Sequence, residues 1–185
     1  MIIHRNMDTN ELAKKIVLNY QALQSQVFAC RILGAKIVLT IGSWDMLHIG
    51  HARYLIKARS QGDILVVGVD SDQAIKRYKG PNRPIIPEAE RREMLSYQAY
   101  VDFVTIVDDV DAQGKWQYAL LRIIKPDVFV AVEGSYPEEQ CREIQKHSSE
   151  LIVLPRQAEK TSSTDIFNKV VKDEEMAKKL RGDRE

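Results

Sequence analysis

Residues 35–58 have the sequence AKIVLTIGSWDMLHIGHARYLIKA. The first part, residues 35–40, is a short apolar run rich in β-branched side chains, which predicts a buried strand. Residues 52–58 have the pattern of a helix, and residues 41–51 connect the two elements. A strand, a tight turn and a helix start are the usual frame of a phosphate site, because free backbone N–H groups and the positive end of the helix dipole face the ligand.

The connecting stretch holds residue types that suit this task. Gly42 is expected to let the chain leave the strand with unrestricted φ, and Gly50 to let a phosphate approach the backbone. His48 and His51 are three residues apart, so their imidazoles project to one side of the first helical turn and could clamp an anion. The alternative is structural, with one histidine capping a turn and the other packing on the sheet. The position directly after a strand and Gly42 favours the functional interpretation.

The same stretch resembles a known signature. Residues 41–51 are similar to the HIGH motif of the nucleotidyltransferase superfamily, whose core is Gly-x-Phe-Asp-x-x-His-x-Gly-His, with Trp44 in place of the usual Phe. His-Ile-Gly-His also occurs in class I aminoacyl-tRNA synthetases, so the tetrapeptide alone does not define the substrate.

Composition narrows the class of protein. The chain has 185 residues, enough for one domain with a hydrophobic core. Its 27 basic and 26 acidic residues give a net charge of +1, which provides no bulk attraction for nucleic acid and counts against an RNA-binding synthetase. Cys30 and Cys141 lack the spacing of a metal site or a disulfide framework. With no signal-peptide core and no membrane-length apolar run, we expect a cytoplasmic protein that does not bind membranes.

Residues 1–34 are predicted to form a helical extension that precedes a nucleotidyltransferase domain at residues 35–185. A helix is expected from Asp8 to Leu33, with a capping box at its start and Gly34 at its end. Leu12, Ile16, Leu23, Val27 and Cys30 would form its apolar stripe. A helix packed on the domain is favoured, and a subunit contact in a homodimer stays open.

Strands alternate with helices along the rest of the chain. Further strands are predicted at residues 63–69, 101–107, 127–132 and 150–154. This alternation predicts an α/β, Rossmann-like fold with a parallel five-stranded sheet in the order 3-2-1-4-5 and helices on both faces. The strand order would reverse between the first and fourth strands, where ligands bind in such sheets. Residues 42–51 and 133–136 would meet there.

Two connecting segments are rich in charge. Residues 78–87 contain three prolines, so they are predicted to be a loop, and its stiffness would lower the entropy cost for Lys79 and Arg83 to hold a phosphate. The acidic residues Asp108, Asp109 and Asp111 are expected only to be solvated in a turn.

The resemblance extends from Lys36 to about Ile166. Residues 68–85 resemble the adenylyltransferase domain of the bacterial enzyme that makes ADP-heptose. Residues 153–156 and 162–164 are similar to the closing motif of glycerol-3-phosphate cytidylyltransferase, Arg-Thr-x-Gly-Ile-Ser-Thr-Thr. The chain departs from these relatives at Lys160 and Thr161 and across residues 130–136, near the expected substrate pockets.

The resemblance implies three groups of site residues. Four would act on the reacting phosphates: His48, His51, Lys79 and Arg91. A second group would bind the nucleotide: Gly42, Ser43, Trp44, Gly50, Glu133, Arg156, Ser162, Ser163 and Thr164. A third would contact the acceptor: Asp45, Lys79, Arg83 and Tyr136. Mg²⁺ is expected to be bound to the phosphates, because the sequence shows no carboxylate cage and no protein metal ligand.

These features predict an enzyme that moves AMP or CMP from ATP or CTP to a phosphorylated sugar or polyol and releases pyrophosphate. The loop at residues 79–85 looks more like the adenylyltransferase than the cytidylyltransferase, so the resemblance implies that ATP is favoured over CTP. Two alternatives stay open: another phosphorylated small-molecule acceptor, such as flavin mononucleotide or phosphopantetheine, and a nucleotide-binding regulator without turnover. A synthetase fragment is disfavoured because no Lys-Met-Ser-Lys-Ser loop and no basic face is present.

Overall fold

The five predicted strands form one parallel sheet. The computed structural model describes residues 13–181, apart from residues 112 and 114. The strands are β1 Ile37–Gly42, β2 Ile64–Asp70, β3 Phe103–Val107, β4 Val128–Val132 and β5 Glu150–Leu154. Their order is β3-β2-β1-β4-β5 and every pairing is parallel, which confirms the predicted α/β, Rossmann-like sheet.

Helices cover both faces of the sheet. They are α1 Tyr20–Ile32, α2 Ile49–Arg59, α3 Asp72–Lys79, α4 Glu88–Ser96, α5 Ala119–Ile124, α6 Glu138–His147 and α7 Ser163–Arg181. Side chains of β1 alternate between two hydrophobic clusters, with Ile37 and Leu39 in one and Val38 in the other. The first cluster includes residues of α1, α5 and α6, and the second includes residues of α2 and α4. Because both faces are covered, β1 is an almost continuous apolar run.

The helix predicted from Asp8 to Leu33 is interrupted, since Ala13 is helical but residues 14–19 are not. The helix α1 starts at Tyr20, where the side chain of Asn19 accepts the Ala22 N–H at 2.9 Å as the N-cap. Ile16 instead forms a parallel bridge with Val104, so the chain before Asn19 runs beside β3. The predicted cap at Asp8 and the apolar residue Leu12 lie outside the described residues. The division at residue 34 stays a prediction.

Two loops also differ from the prediction. The loop expected from residue 78 begins at Gly80, since α3 continues to Lys79. The acidic turn after β3 is not merely solvated, because Asp109 accepts the indole N–H of Trp116 at 3.0 Å and the backbone N–H of Ala119. In the part of the chain that the structure describes, no helix has the length and apolar character needed to cross a membrane.

Candidate active site

A cavity of about 1130 Å³ opens at the carboxyl ends of β1, β2 and β4. It exceeds the roughly 300–1,000 Å³ typical of a pocket for one small ligand, so it has room for two substrates. The predicted site residues that line it are Gly42, Ser43, Trp44, His48, Gly50, His51, Lys79, Glu133, Tyr136, Arg156, Ser162, Ser163 and Thr164. The sheet order therefore brings together segments that are far apart in sequence, as expected at a topological switch point.

His48 and His51 stack at the start of α2, with ring centroids 4.0 Å apart. Nδ1 of His48 accepts the Gly50 N–H at 3.1 Å, and Nδ1 of His51 accepts the His48 N–H at 3.4 Å. The two rings thus cap the helix in a reciprocal box. Because Nδ1 is an acceptor in each ring, the proton of the neutral form lies on Nε2, which is left to donate to a ligand. The structural and functional interpretations of the histidines are therefore compatible.

The electrostatic environment keeps both rings neutral. Burial, followed by the charges of His48 and Lys79, lowers the pKa of His51 to about 4. Burial and then the nearby Arg156 guanidinium also lower the pKa of His48. A neutral imidazole can still donate its Nε2–H to an anionic ligand. A bound anion would in turn raise the pKa of each ring.

Gly50 is required by close packing. A Cβ at this position would lie 2.8 Å from Cε1 of His48 and 2.9 Å from Cβ of Ala158. Gly42 does not need the unrestricted φ that was expected, because it is not among the positive-φ residues of the described chain. The left-handed conformations fall instead on Trp44, with φ of 52°, and Met46, with φ of 50°. Such strain costs about 1–3 kcal/mol per residue and is often found at functional sites.

The side chain of Trp44 is buried and is held by contacts with the sheet and with α2. Its indole Nε1 donates to the Gly68 carbonyl at 2.9 Å, and its ring lies 5.5 Å from the His51 ring. Beneath it, the Tyr54 hydroxyl contacts Thr40 Oγ1 at 2.7 Å and donates to the Val130 carbonyl at 2.8 Å. These bonds join α2 to the strands, so the orientation of the histidines is fixed by buried contacts.

Lys79 reaches the signature loop from the end of α3. Its Nζ donates to Ser43 Oγ at 2.8 Å. Burial, followed by the Arg83 charge, lowers the pKa of Lys79 from its ordinary value. Lys79 therefore places a cation on the cavity wall beside the histidine pair.

Asp45 and Arg83, two predicted acceptor contacts, do not line the cavity. They form a buried ion pair, with Arg83 Nη2 2.6 Å from Asp45 Oδ2, and Asp45 also accepts the N–H groups of Ile85 and Ile86. Burial would raise the pKa of Asp45, but these hydrogen bonds and the Arg83 charge together hold it below its ordinary value. The pair fixes the proline-rich loop to the signature loop.

Arg91 also differs from its expected role on the reacting phosphates. Its side chain is 1% exposed and is not among the residues that line the cavity. Its three nitrogens donate to the Ser43 carbonyl at 2.5 Å, the Ile86 carbonyl at 2.8 Å and the Asp72 carboxylate at 2.6 Å. With all these groups engaged, Arg91 supports the backbone of Ser43 and does not face the ligand.

The start of α7 forms another wall. Ser162 Oγ accepts the Asp165 N–H at 3.1 Å and caps the helix, and Ser163 Oγ donates to the Asp45 carbonyl. Arg156 precedes this wall and is exposed. The wall thus offers a helix N-terminus, hydroxyls and a cation to an anionic ligand.

The turn after β4 completes the cavity. The Tyr136 hydroxyl donates to the Ile41 carbonyl at 3.1 Å, and its ring stacks on Trp116 with centroids 5.8 Å apart. Glu133 is exposed on the same turn, beside Gly134 with φ of 74°.

Several residues that line the cavity were not among the predicted site residues, including Asp70, Asp109 and Trp116. A signal for Asp70 was available, since it ends the strand next to the one that carries the signature. Asp109 and Trp116 belong to a hairpin closed by the Val110–Trp116 bridge, which the sequence did not indicate.

A parallel α/β sheet with a cationic, histidine-bearing cleft at its switch point is an arrangement suited to binding the phosphates of a nucleotide. The chain belongs to the cytidylyltransferase-like family, whose model matches residues 39–169.

Curated relatives share this region. Bifunctional protein HldE of Geotalea uraniireducens (strain Rf4) is 36% identical over 156 residues, which cover 83% of this chain and 31% of the relative. Bifunctional protein HldE of Helicobacter pylori (strain HPAG1) is 48% identical over 95 residues, which cover 51% of this chain and 19% of the relative. The chain thus spans a third or less of the length of these curated relatives.

Solved structures show the same fold. The lipopolysaccharide core biosynthesis protein from Thermoplasma volcanium GSS1 matches with a TM-score of 0.56 and 26% identity, covering 66% of this chain and 98% of that one. Pantoate-beta-alanine ligase from Francisella tularensis matches with a TM-score of 0.55 and 17% identity over 82% of this chain and 74% of that one. The second likeness concerns the fold alone.

Proposed function

We propose that the chain transfers a nucleotidyl group, AMP in preference to CMP, from a nucleoside triphosphate to the phosphate of a sugar or polyol. The observation that carries the proposal is the stacked pair of His48 and His51, each with Nδ1 fixed by a backbone N–H and Nε2 left to donate. Lys79 and the start of α7 border the same cavity. Together they form a binding surface for the phosphates of a triphosphate.

The reaction requires positioning and charge stabilisation. A phosphate oxygen of the acceptor attacks the α-phosphorus in line, the bond to the β-phosphate oxygen breaks, and pyrophosphate leaves with the electron pair. In our proposal, His48 and His51 donate through Nε2 to phosphate oxygens whose charge grows in the transition state, and Lys79 neutralises that charge. No enzyme nucleophile is needed.

The remaining predicted residues divide between binding and support. Arg156, Ser162, Ser163 and Thr164 would hold the nucleotide from the start of α7, while Gly42, Ser43, Trp44, Gly50 and Glu133 would shape its pocket. Tyr136 would border the acceptor. Asp45, Arg83 and Arg91 would act through the loops that they fix.

Mg²⁺ fits this proposal as an ion carried by the phosphates. Among the described residues, no group of three or more His, Cys, Asp or Glu side chains could hold a metal ion. Phosphate oxygens and water would therefore supply its ligands, as Mg²⁺ prefers in such sites. When bound, it would neutralise triphosphate charge.

The choice of AMP and of a sugar phosphate is supported by likeness. Residues 68–85 resemble an adenylyltransferase domain that makes ADP-heptose, and the matching Thermoplasma volcanium protein is described as acting in lipopolysaccharide core biosynthesis. Of the altered residues 130–136, residues 131–136 border the cavity, so acceptor identity must be measured directly.

The test is a grid of ATP, CTP, GTP and UTP against sugar phosphates, polyol phosphates, flavin mononucleotide and phosphopantetheine, scored by pyrophosphate release. We expect the highest kcat/KM with ATP and a sugar or polyol phosphate. A higher kcat/KM with CTP would reverse the nucleotide preference. Nucleotide binding without pyrophosphate release from any pair would support a regulator without turnover.

A further inference from the structure

The cavity continues beyond Lys79 to the ends of β2 and β3. We call this part the β2–β3 lobe and define it by Asp70, Tyr78, Asp109, Trp116 and Tyr136, all of which line the cavity. Trp116 and Tyr136 pack against the hydrophobic cluster on the face of the sheet opposite α2. The lobe and the histidine pair thus lie toward opposite faces of the sheet edge.

This division matches the geometry of the proposed reaction. In an in-line displacement, the attacking acceptor and the leaving pyrophosphate lie on opposite sides of the α-phosphorus. If the histidine pair, Lys79 and the start of α7 hold the triphosphate, the β2–β3 lobe is the space left for the body of the acceptor.

The two parts of the cavity differ in charge. The triphosphate side carries Lys79 and Arg156, whereas the β2–β3 lobe carries the carboxylates of Asp70 and Asp109. Carboxylates repel a phosphate but accept strong hydrogen bonds from hydroxyl groups. Arg77 and Lys115 also border the cavity and are exposed, as Lys79 and Arg156 are, and the Lys79 charge also acts on Asp70. These cations offset part of the negative charge of the lobe, but Asp70 and Asp109 remain its hydrogen-bond acceptors for ligand hydroxyls. The lobe therefore suits an uncharged, hydroxyl-bearing part of a ligand.

Asp70 is poised to accept such a bond. Its Oδ2 accepts the Tyr78 hydroxyl at 2.7 Å, and its Oδ1 has no hydrogen-bond partner among the described residues. A carboxylate can accept about four hydrogen bonds, so most of its capacity is unused. Burial raises the pKa of Asp70, although the Tyr78 hydrogen bond and the Arg91 charge act against this. Ligand hydroxyls would replace the hydration that burial removes.

Asp109 provides a second, rigid carboxylate. The indole N–H of Trp116 and the backbone N–H of Ala119 fix its two oxygens, and the Val110–Trp116 bridge closes the hairpin that carries it. Each oxygen keeps a further lone pair for a ligand hydroxyl.

We infer that Asp70, assisted by Asp109, selects acceptors that carry hydroxyl groups next to their phosphate, by accepting hydrogen bonds from those hydroxyls. This inference rests on the proposed function, since it concerns the acceptor of that reaction. It makes Asp70 a specificity-determining residue and disfavours acceptors that lack hydroxyl groups next to their phosphate.

The test compares Asp70→Asn and the shorter Asp70→Ser with wild type, using the best sugar or polyol phosphate from the grid and its deoxy analogues. Asp108→Asn is the matched control, because Asp108 follows the same strand as Asp109 but does not line the cavity. Melting temperatures verify that each variant is folded.

We expect the Asp70 variants to lower kcat/KM for the hydroxylated acceptor by about 10- to 100-fold, the usual effect of losing a hydrogen bond to a charged group, with the KM for ATP unchanged. For one deoxy analogue, the Asp70 substitutions should lower kcat/KM much less. That analogue lacks the hydroxyl that bonds to Asp70, so the substitution has no further hydrogen bond to remove. Equal losses for every acceptor, or no loss, would overturn the inference while the proposed function stands. No turnover with any phosphate monoester would refute both.

Discussion

His48 and His51 share one arrangement in which each imidazole stabilises the backbone through Nδ1 and keeps Nε2 for a ligand. The two roles of the His48 ring can be separated by mutation, because His48 is the N-cap of α2 and asparagine is a good N-cap but has no group in the place of Nε2. The histidine pair is therefore the best place to distinguish a catalytic role from a structural one.

We expect His48→Asn to keep a near-normal melting temperature and to lose at least a hundredfold in turnover. Removal of one donor to developing charge typically costs about 10²–10³ in kcat, or roughly 3–4 kcal/mol. Nucleotide affinity should fall less, since the start of α7 remains. His147→Asn is the control, because His147 lies outside the cavity, beside Glu143. A stable His48→Asn enzyme with full turnover would contradict the catalytic role, and His51→Asn is expected to lose turnover in the same way.

The stability of the protein should depend on His51 in acid. Burial, followed by the charges of His48 and Lys79, lowers the pKa of His51 to about 4 from an ordinary value near 6.5, so the unfolded chain binds the proton more tightly than the fold. The stabilisation is complete above about pH 6.5 and is lost as the pH falls toward 4. The unfolding free energy, measured with denaturant, should decrease less between pH 7 and pH 5 in His51→Asn than in wild type. Identical losses would refute the assignment.

Arg91→Lys should destabilise the protein and lower turnover without removing a ligand contact. Lysine keeps the charge but cannot reach the Ser43 and Ile86 carbonyls and Asp72 together, which leaves buried acceptors unpaired at about 1–3 kcal/mol. Arg92→Lys is the neighbouring control and should change the unfolding free energy by less than about 0.5 kcal/mol. Unchanged stability of Arg91→Lys would show that the three bonds contribute little.

Two glycines of the signature should respond oppositely to alanine. A Cβ at Gly50 would lie within 3.0 Å of His48 and Ala158, so Gly50→Ala should cost about 1–3 kcal/mol of unfolding free energy. At Gly42 the nearest atom would be 3.5 Å away, an ordinary contact, so Gly42→Ala should be neutral or stabilising by up to about 1 kcal/mol. Paired denaturation curves measure both, and equal destabilisation would contradict the packing argument.

The sheet was predictable because its signals are local. Apolar, β-branched runs mark β1, β2 and β4, and the alternation with helices leaves few topologies for them. The start of α1 was not predictable from the sequence, because Ile16 fits a helical stripe equally well. Ile16 joins β3 only through its bridge to Val104. That pairing depends on a residue 88 positions later.

Within the site, the signature at residues 41–51 predicted the residues that face the ligand. It did not predict the buried residues that hold them in position. Arg83 and Arg91 look like surface cations in the sequence, yet both are buried against carbonyl or carboxylate partners from other segments. The left-handed turn fell on Trp44 rather than Gly42, because the buried indole bond to Gly68 holds that backbone in place. Contacts with residues that are distant in sequence cannot be predicted from a local sequence pattern.

Asp45 links the proline-rich loop to the cavity wall at the start of α7, although these segments are distant in sequence. Its carboxylate holds the loop at Ile85 and Ile86, and its carbonyl accepts Ser163 Oγ from the start of α7. A ligand that draws Ser163 away from Asp45 changes the anchoring of that loop, and a change in the loop alters the affinity at α7 by the same free energy. One aspartate outside the cavity thereby couples ligand binding at the start of α7 to the anchoring of the proline-rich loop.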